Sequence, residues 1–272
     1  MANKKKRFTP WRVFIGFLVL IFICCIGFVL YVNVATYPAD DRAYNELATL
    51  KDGNVNVNVN AVGDKSSSTN NVDYKTLEAE ETETSIAVGI PKAQKGLVLY
   101  PGALVDPVAY VPLARKIAEQ GIYCVIVKMP FNFAFFNSNA ANNIIASAPQ
   151  VQCWWIAGHS LGGVMAASYA SENTDKLKGV VLLAAYSTKD LSNSGLKVLS
   201  IYGSEDGVLN FSNMEKYAEN LPSDTKVLVI EGANHSGVGY YGPQANDGEA
   251  RISKDEQQAK IVSAIVSAMK LG

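Results

Sequence analysis

Histidine is scarce in this 272-residue chain: there are two, His159 and His235. Neither belongs to an H-E-x-x-H pattern, and no cysteine pair has metal-ligand spacing, so a catalytic zinc is unsupported. Of the four cysteines, Cys24 and Cys25 are adjacent in an apolar run and match no lipobox, while Cys124 and Cys153 fall in separate strand-like runs. They read as buried free thiols rather than a disulfide framework. Positive charge is also short beyond the start of the chain. Five of the 24 bases precede residue 13, leaving 19 against 25 acids and a net −6 for the remainder. An acidic remainder argues against nucleic-acid binding. Gly237-Val238-Gly239-Tyr240-Tyr241-Gly242 has G-x-G-x-x-G spacing, but Pro243 follows where a helix should begin and no strand-borne acid lies about 20 residues on. It reads as a flexible loop beside His235, and no cofactor is implied. No internal repeat is visible.

What the chain does have is apolar material: 49% hydrophobic and 18% charged residues. That suits one α/β domain of about 200 residues with additions. Residues 13–34, VFIGFLVLIFICCIGFVLYVNV, are uncharged, and about 20 apolar residues cross a hydrocarbon core of about 30 Å. The competing reading is a cleaved signal peptide. Its apolar region would run about 7 to 15 residues, and Asn33-Val34-Ala35 is a poor cleavage site. Residues 13–34 are therefore expected to be a transmembrane helix. The basic residues 1–12 before it and Asp40 and Asp41 after it predict a cytoplasmic N-terminus and an extracytoplasmic remainder, with Tyr31 at the outer interface.

Residues 35–95 are less regular. Val55 to Val59 alternate as a half-buried strand should, Gly63 to Thr84 form a polar, acidic run expected to be an exposed loop, and Ser85 to Ile90 suggest a hairpin partner. From Gly96 to Gly272 short apolar runs alternate with helical stretches, the pattern of a parallel sheet built from βαβ units. Expected strands are Leu97 to Tyr100, Ile122 to Lys128, Val151 to Ala157, Val180 to Tyr186, Lys197 to Tyr202 and Lys226 to Ile230. Expected helices are Pro112 to Gln120, Leu161 to Ser171, Phe211 to Asn220 and a last one from Ser253. Ser253-Lys254-Asp255-Glu256 is a capping box, and Ile261, Ile265 and Met269 form one apolar face behind it.

Gly158-His159-Ser160-Leu161-Gly162 lies between the apolar strand Val151 to Ala157 and the small-residue helix from Leu161. Strand, sharp turn, helix is the context in which a G-x-S-x-G serine is pushed out above a sheet. Glycines leave room where strand and helix nearly touch, and the helix N-terminus aims N–H groups at the serine. A serine hydroxyl needs a base. His159 sits inside the turn and cannot easily fold back onto Ser160, which leaves His235, on a loop just past Val227 to Ile230. The orienting acid should also lie at a strand's carboxyl end. Asp206, in Gly203-Ser204-Glu205-Asp206-Gly207, is preferred, with Glu205 and Asp190 as rivals.

The order Ser160, Asp206, His235, each just past an expected strand, resembles that of the α/β-hydrolases. From about Gly96 onward the chain resembles the small, dienelactone-hydrolase-like members of that family, and Leu99 to Leu104 resembles the family's oxyanion loop. The resemblance implies an α/β-hydrolase fold, a mostly parallel sheet flanked by helices. It also implies backbone N–H groups of Ala103 and Leu161 as oxyanion donors, with Gly102 allowing close approach. Pro101 stands where many relatives carry histidine, which removes one loop-anchoring side chain. Only about ten residues separate Tyr186 from Lys197, too few for a large helical cap, so an open pocket is expected. Met129 to Phe136, with Phe131, Phe133 and Phe135, is expected to wall it. The implied activity is a membrane-anchored serine esterase acting on a small-molecule or lipid-like ester. Acyl transfer or thioester hydrolysis by the same residues is the related alternative. A non-catalytic binding module on the same fold is the alternative of a different class.

Overall fold

The computed structural model of the chain describes residues 10–53, 55–58, 74–89 and 93–270. The chain divides into two units between Thr36 and Tyr37. The first contains a single helix, α1 (Pro10–Ala35). Its stretch Phe14–Ala35 is long and apolar enough to cross a membrane. Most of its large side chains from Phe14 to Val34 are exposed, and an exposed helix that is apolar all round suits hydrocarbon better than water.

The second unit contains the strands β1 (Val55–Asn58), β2 (Tyr74–Glu81), β3 (Ser85–Gly89), β4 (Lys95–Tyr100), β5 (Ile122–Val127), β6 (Cys153–His159), β7 (Gly179–Leu183), β8 (Lys197–Gly203) and β9 (Lys226–Ile230). They form one sheet in the order β1-β2-β3-β5-β4-β6-β7-β8-β9. The pairs β1–β2, β2–β3 and β3–β5 are antiparallel, and every pair from β5 to β9 is parallel. The helices are α2 (Asp41–Lys51), α3 (Val111–Ala118), α4 (Ala141–Ser147), α5 (Leu161–Glu172), α6 (Phe211–Lys216) and α7 (Lys254–Lys270). This is the fold class expected from the alternation of short apolar runs and helical stretches.

The central strands are apolar on both faces because both are covered. On β4, Leu97 and Leu99 join a core built with α2, α3 and α7. Val98 and Tyr100 join a second core with α4 and α5. β6 divides in the same way, Trp155 and Ala157 to the first core and Trp154 and Ile156 to the second, as the two-residue strand period requires. β4 pairs with β5 on one side and β6 on the other, so chain order reverses there. In open α/β sheets such a switch opens a crevice at the strand carboxyl ends. The loops after β4 and β6 meet at that crevice.

Several expectations need correction. Gly63 to Thr84 is not one exposed loop, because Tyr74–Glu81 is the strand β2, which pairs with β1 and with β3. Its exposed acids hide the pairing from a pattern search, and among its described side chains Leu77 is the one completely buried. Ser85–Gly89 is therefore the hairpin partner of β2, and Ile90 and residues 59–73 lie outside the described residues. The segment around residue 240 is not loose. Gly237 through Tyr241 are buried, and a Cβ on Gly237 would come 2.0 Å from Gln257 Oε1. Cys124 is buried as expected, but Cys153 is only half-buried. Helix α2 was not expected. Asp40 caps it through the Ala43 N–H at 3.0 Å, and Ala43, Leu47 and Leu50 form its buried face.

Candidate active site

Ser160 occupies the junction of β6 and α5 with φ 53° and ψ −125°. For a residue with a side chain this costs about 1–3 kcal/mol, so the surroundings must over-determine it. Bulk does so. A Cβ on Gly158 would come 2.3 Å from the Gly162 carbonyl, and one on Gly162 would come 2.2 Å from the carbonyl of Pro101. The same close approach presses the 101–103 loop against the start of α5. The Ser160 N–H is tied to Leu183 O at 2.9 Å, and its own carbonyl accepts from Gly163 N at 2.9 Å.

His235 lies just past β9 and Asp206 just past β8. His235 Nδ1 is 2.9 Å from Asp206 Oδ2 and 3.1 Å from Oδ1. Both side chains are essentially inaccessible to solvent. Asp206 Oδ1 also accepts from Val208 N at 2.9 Å and Leu209 N at 2.8 Å. A carboxylate so surrounded by donors is the acceptor for His235 Nδ1–H, which leaves Nε2 as the free lone pair. That Nε2 is buried and has no hydrogen-bond partner. It does not hydrogen-bond Ser160, a common state of such pairs before substrate arrives. Ser160 and His235 line one open cleft of about 210 Å³, together with Leu161, Val164, Ala184, Tyr186 and Leu209 among others.

The rival acids are engaged elsewhere. Glu205 pairs with Arg251, and those contacts with Ser204 and Arg251 hold its carboxyl below the usual range. Asp190 is exposed and accepts from Ser192 N at 2.9 Å and Ser192 Oγ at 2.6 Å. The N–H groups of Ala103 and Leu161 find no acceptor among the described residues, so both are available to a ligand oxygen. Gly102 is buried beneath the loop rather than lining the cleft. Phe131, Phe133 and Phe135 are not brought to the cleft. Phe133 packs tilted against Phe135 with ring centroids 5.4 Å apart, and Phe131 sits 5.5 Å from Phe136. These rings form an aromatic cluster on a segment tied to the 101–104 loop by the Leu104 N–H to Asn132 O bond at 2.8 Å. Between β7 and β8 there are only turns, so the cleft carries no cap at that point.

Three contributors escaped the sequence reading. Asp247 Oδ1 accepts from His235 N at 3.1 Å and Gly207 N at 3.3 Å, and its Oδ2 accepts from Ser236 N at 2.8 Å. It therefore clips the loop of His235 to the loop of Asp206. Tyr110 Oη accepts from Gly102 N at 2.9 Å and lies 2.8 Å from His159 Nδ1. His159 is almost wholly buried, with its ring centroid 4.5 Å from that of His235. Burial first, and then the neighbouring His235, hold its imidazole well below the ordinary value, and the His235 backbone does not offset them. Asp247 carries no motif. His159 was set aside as part of the turn.

Residues 96–259 match the model of the alpha/beta hydrolase family, more than half of the chain. Among solved structures, the chain is similar to a predicted CIB-like hydrolase from Thermoplasma acidophilum. The TM-score is 0.50 at 17% identity, covering 71% of this chain and 99% of that one, a likeness of fold alone. No curated protein matches the sequence.

Proposed function

From the chain's membership of the alpha/beta hydrolase family, we propose that it is a serine esterase working through an acyl-enzyme. The observation that carries this reading is the buried Asp206–His235 pair, whose free Nε2 shares a cleft with a strained serine. Ser160 Oγ attacks the acyl carbonyl while His235 Nε2 takes its proton. Asp206 holds the imidazole and supports the imidazolium. The tetrahedral oxyanion sits against the Ala103 and Leu161 N–H groups. Collapse expels the alcohol, to which His235 returns the proton, and water then repeats the sequence on the acyl-enzyme.

The cleft lining carries no formally charged side chain, and its roughly 210 Å³ is below the ~300–1,000 Å³ of sites for drug-sized ligands. A small neutral acyl group fits that space, with the alcohol portion directed toward solvent. Residues 13–34 anchor the enzyme, with the basic N-terminus cytoplasmic and the catalytic unit outside.

The test is a fluorophosphonate probe on the purified full-length chain. Wild type labels and hydrolyses short aryl esters, and Ser160→Ala loses both by several orders of magnitude while keeping its thermal transition. Labelling that persists in Ser160→Ala would remove the assignment.

A further inference from the structure

Pro101 leaves the oxyanion loop without the side-chain anchor that the family resemblance led one to expect, yet the loop is anchored. The Gly102 N–H donates to Tyr110 Oη at 2.9 Å, and that oxygen lies 2.8 Å from His159 Nδ1. Tyr110 is completely buried and His159 almost so. The contact is close: a Cβ on Gly102 would stand 2.9 Å from His159 Nδ1 and 3.2 Å from Tyr110 Oη.

We propose that Tyr110 and His159 form a positioning relay for the proposed esterase site, holding the Gly102 peptide so that the next N–H, on Ala103, points at the oxyanion. The direction of the relay follows from hydrogen-bond counting. Tyr110 has one hydrogen and accepts from Gly102. His159 Nε2 is buried with no hydrogen-bond partner, so if Nδ1 donated to the tyrosine two groups would be left unpartnered, the tyrosine hydrogen and the Nε2 lone pair, whereas a donating hydroxyl leaves only the Nε2–H. The hydroxyl therefore donates to Nδ1, and the ring proton of His159 sits on Nε2. Either tautomer keeps a neutral ring against His235. A charged one would oppose the imidazolium that the reaction must form. His159 thus serves from inside the turn without touching substrate, and the scarcity of histidine conceals a second use of the residue.

The relay rests on Ser160 as nucleophile, so the experiment has one arm that needs no catalysis. With only two histidines in the chain, full-length protein labelled with ¹⁵N-histidine gives two imidazole signals, and His159→Gln assigns them. The expected His159 spectrum is a neutral ring with a bare, hydrogen-bonded Nδ1 and a protonated Nε2, and Tyr110→Phe moves that Nδ1 resonance. In the kinetic arm, Tyr110→Phe and His159→Leu lower kcat and the rate of fluorophosphonate labelling by about 10- to 100-fold, the scale of a misplaced oxyanion donor, with KM little changed. His159→Gln, whose Oε1 accepts from Tyr110, recovers most of the rate. Each rate is normalised to folded protein by its thermal transition, so a merely structural role lowers the melting temperature and leaves kcat in place. A proton on Nδ1, an unchanged kcat in Tyr110→Phe, or a His159→Gln as slow as His159→Leu would each overturn the relay. A wild type inert to the probe, with the expected spectrum, would overturn the esterase reading and the positioning role while leaving the hydrogen-bond assignment intact.

Discussion

At the β6–α5 junction Ser160 is held by bulk: glycines at 158 and 162 let strand, helix and the 101–103 loop touch backbone to backbone. At the ends of β8 and β9 the partners Asp206 and His235 are held by polar groups instead, with Asp247 binding the backbone of both loops. On the proposed function, the difference follows from what each group must do. A nucleophile needs its oxygen in one place and keeps no charge at rest, so steric contact suffices. The base changes its protonation during the reaction, and its support must be electrostatic as well as geometric. Bulk tolerates no added atom; a hydrogen-bonded loop tolerates the loss of one bond.

The sharpest break falls on the steric side. Gly162→Ala places a methyl within 2.2 Å of Pro101 O and 2.4 Å of Tyr100 O, backbone atoms that cannot yield separately. The expected outcome is loss of all measurable ester hydrolysis, with either a large fall in melting temperature or no folded protein. A variant that folds and retains near-normal kcat would show that the junction is not set by bulk.

On the polar side, Asp206→Asn keeps the shape and removes support for the imidazolium, lowering kcat by as much as ~10⁴-fold. Asp190→Asn, exposed and bonded only to Ser192 among its resolved partners, is the matched control and leaves kcat within about twofold. The opposite ranking would reassign the acid while leaving Ser160 and His235 in place. Asp247→Ala is expected to act more weakly. It strips acceptors from His235 N and Ser236 N, each lost buried bond costing about 1–3 kcal/mol. The fall in kcat should be about 10- to 100-fold as the two loops lose register. Steady-state kinetics with melting curves separate its two effects.

The same contrast decides what could be read from the sequence. The serine turn was legible because steric demands leave their mark as glycine at fixed spacing, flanked by an apolar strand and a small-residue helix. The alternation from β4 to β8 was legible because a doubly covered parallel strand must be apolar throughout. Asp206 and His235 were found from chain order and from their place after strand-like runs. Asp247 was not legible, since a carboxylate that binds backbone N–H groups recognises no particular side chains and leaves no spacing. Tyr110 was hidden for a related reason, since its partner is the Gly102 N–H, and His159 reaches that peptide only through Tyr110. Strand β2 was missed because Tyr74-Lys75-Thr76-Leu77-Glu78-Ala79-Glu80-Glu81 alternates weakly and carries three acids, and its pairing with β1 and β3 is not written in its own residues. What the Phe131 to Phe136 run faces was not legible, because aromatic density alone does not say which hollow the rings line.

The mildest test of the polar side is pH. His159 is buried against Tyr110 and His235, with Asp206 behind the latter, and its imidazole is held well below the ordinary value. In the unfolded chain a histidine takes up its proton near pH 6.5. Above that value neither state binds the proton, and the residue adds no pH slope. Below it the unfolded state binds a proton that the folded state refuses, so stability falls as pH falls, by up to about 1.4 kcal/mol per pH unit. The sign is opposite to that of a histidine stabilised as a cation. Denaturant midpoints of the full-length chain in detergent, measured between about pH 5 and pH 8, should therefore decline on the acid side. In His159→Gln, which keeps the acceptor for Tyr110 but cannot titrate, the decline should be shallower. An equal slope in both proteins would place the acid sensitivity elsewhere and would mean that His159 is not held neutral by its surroundings.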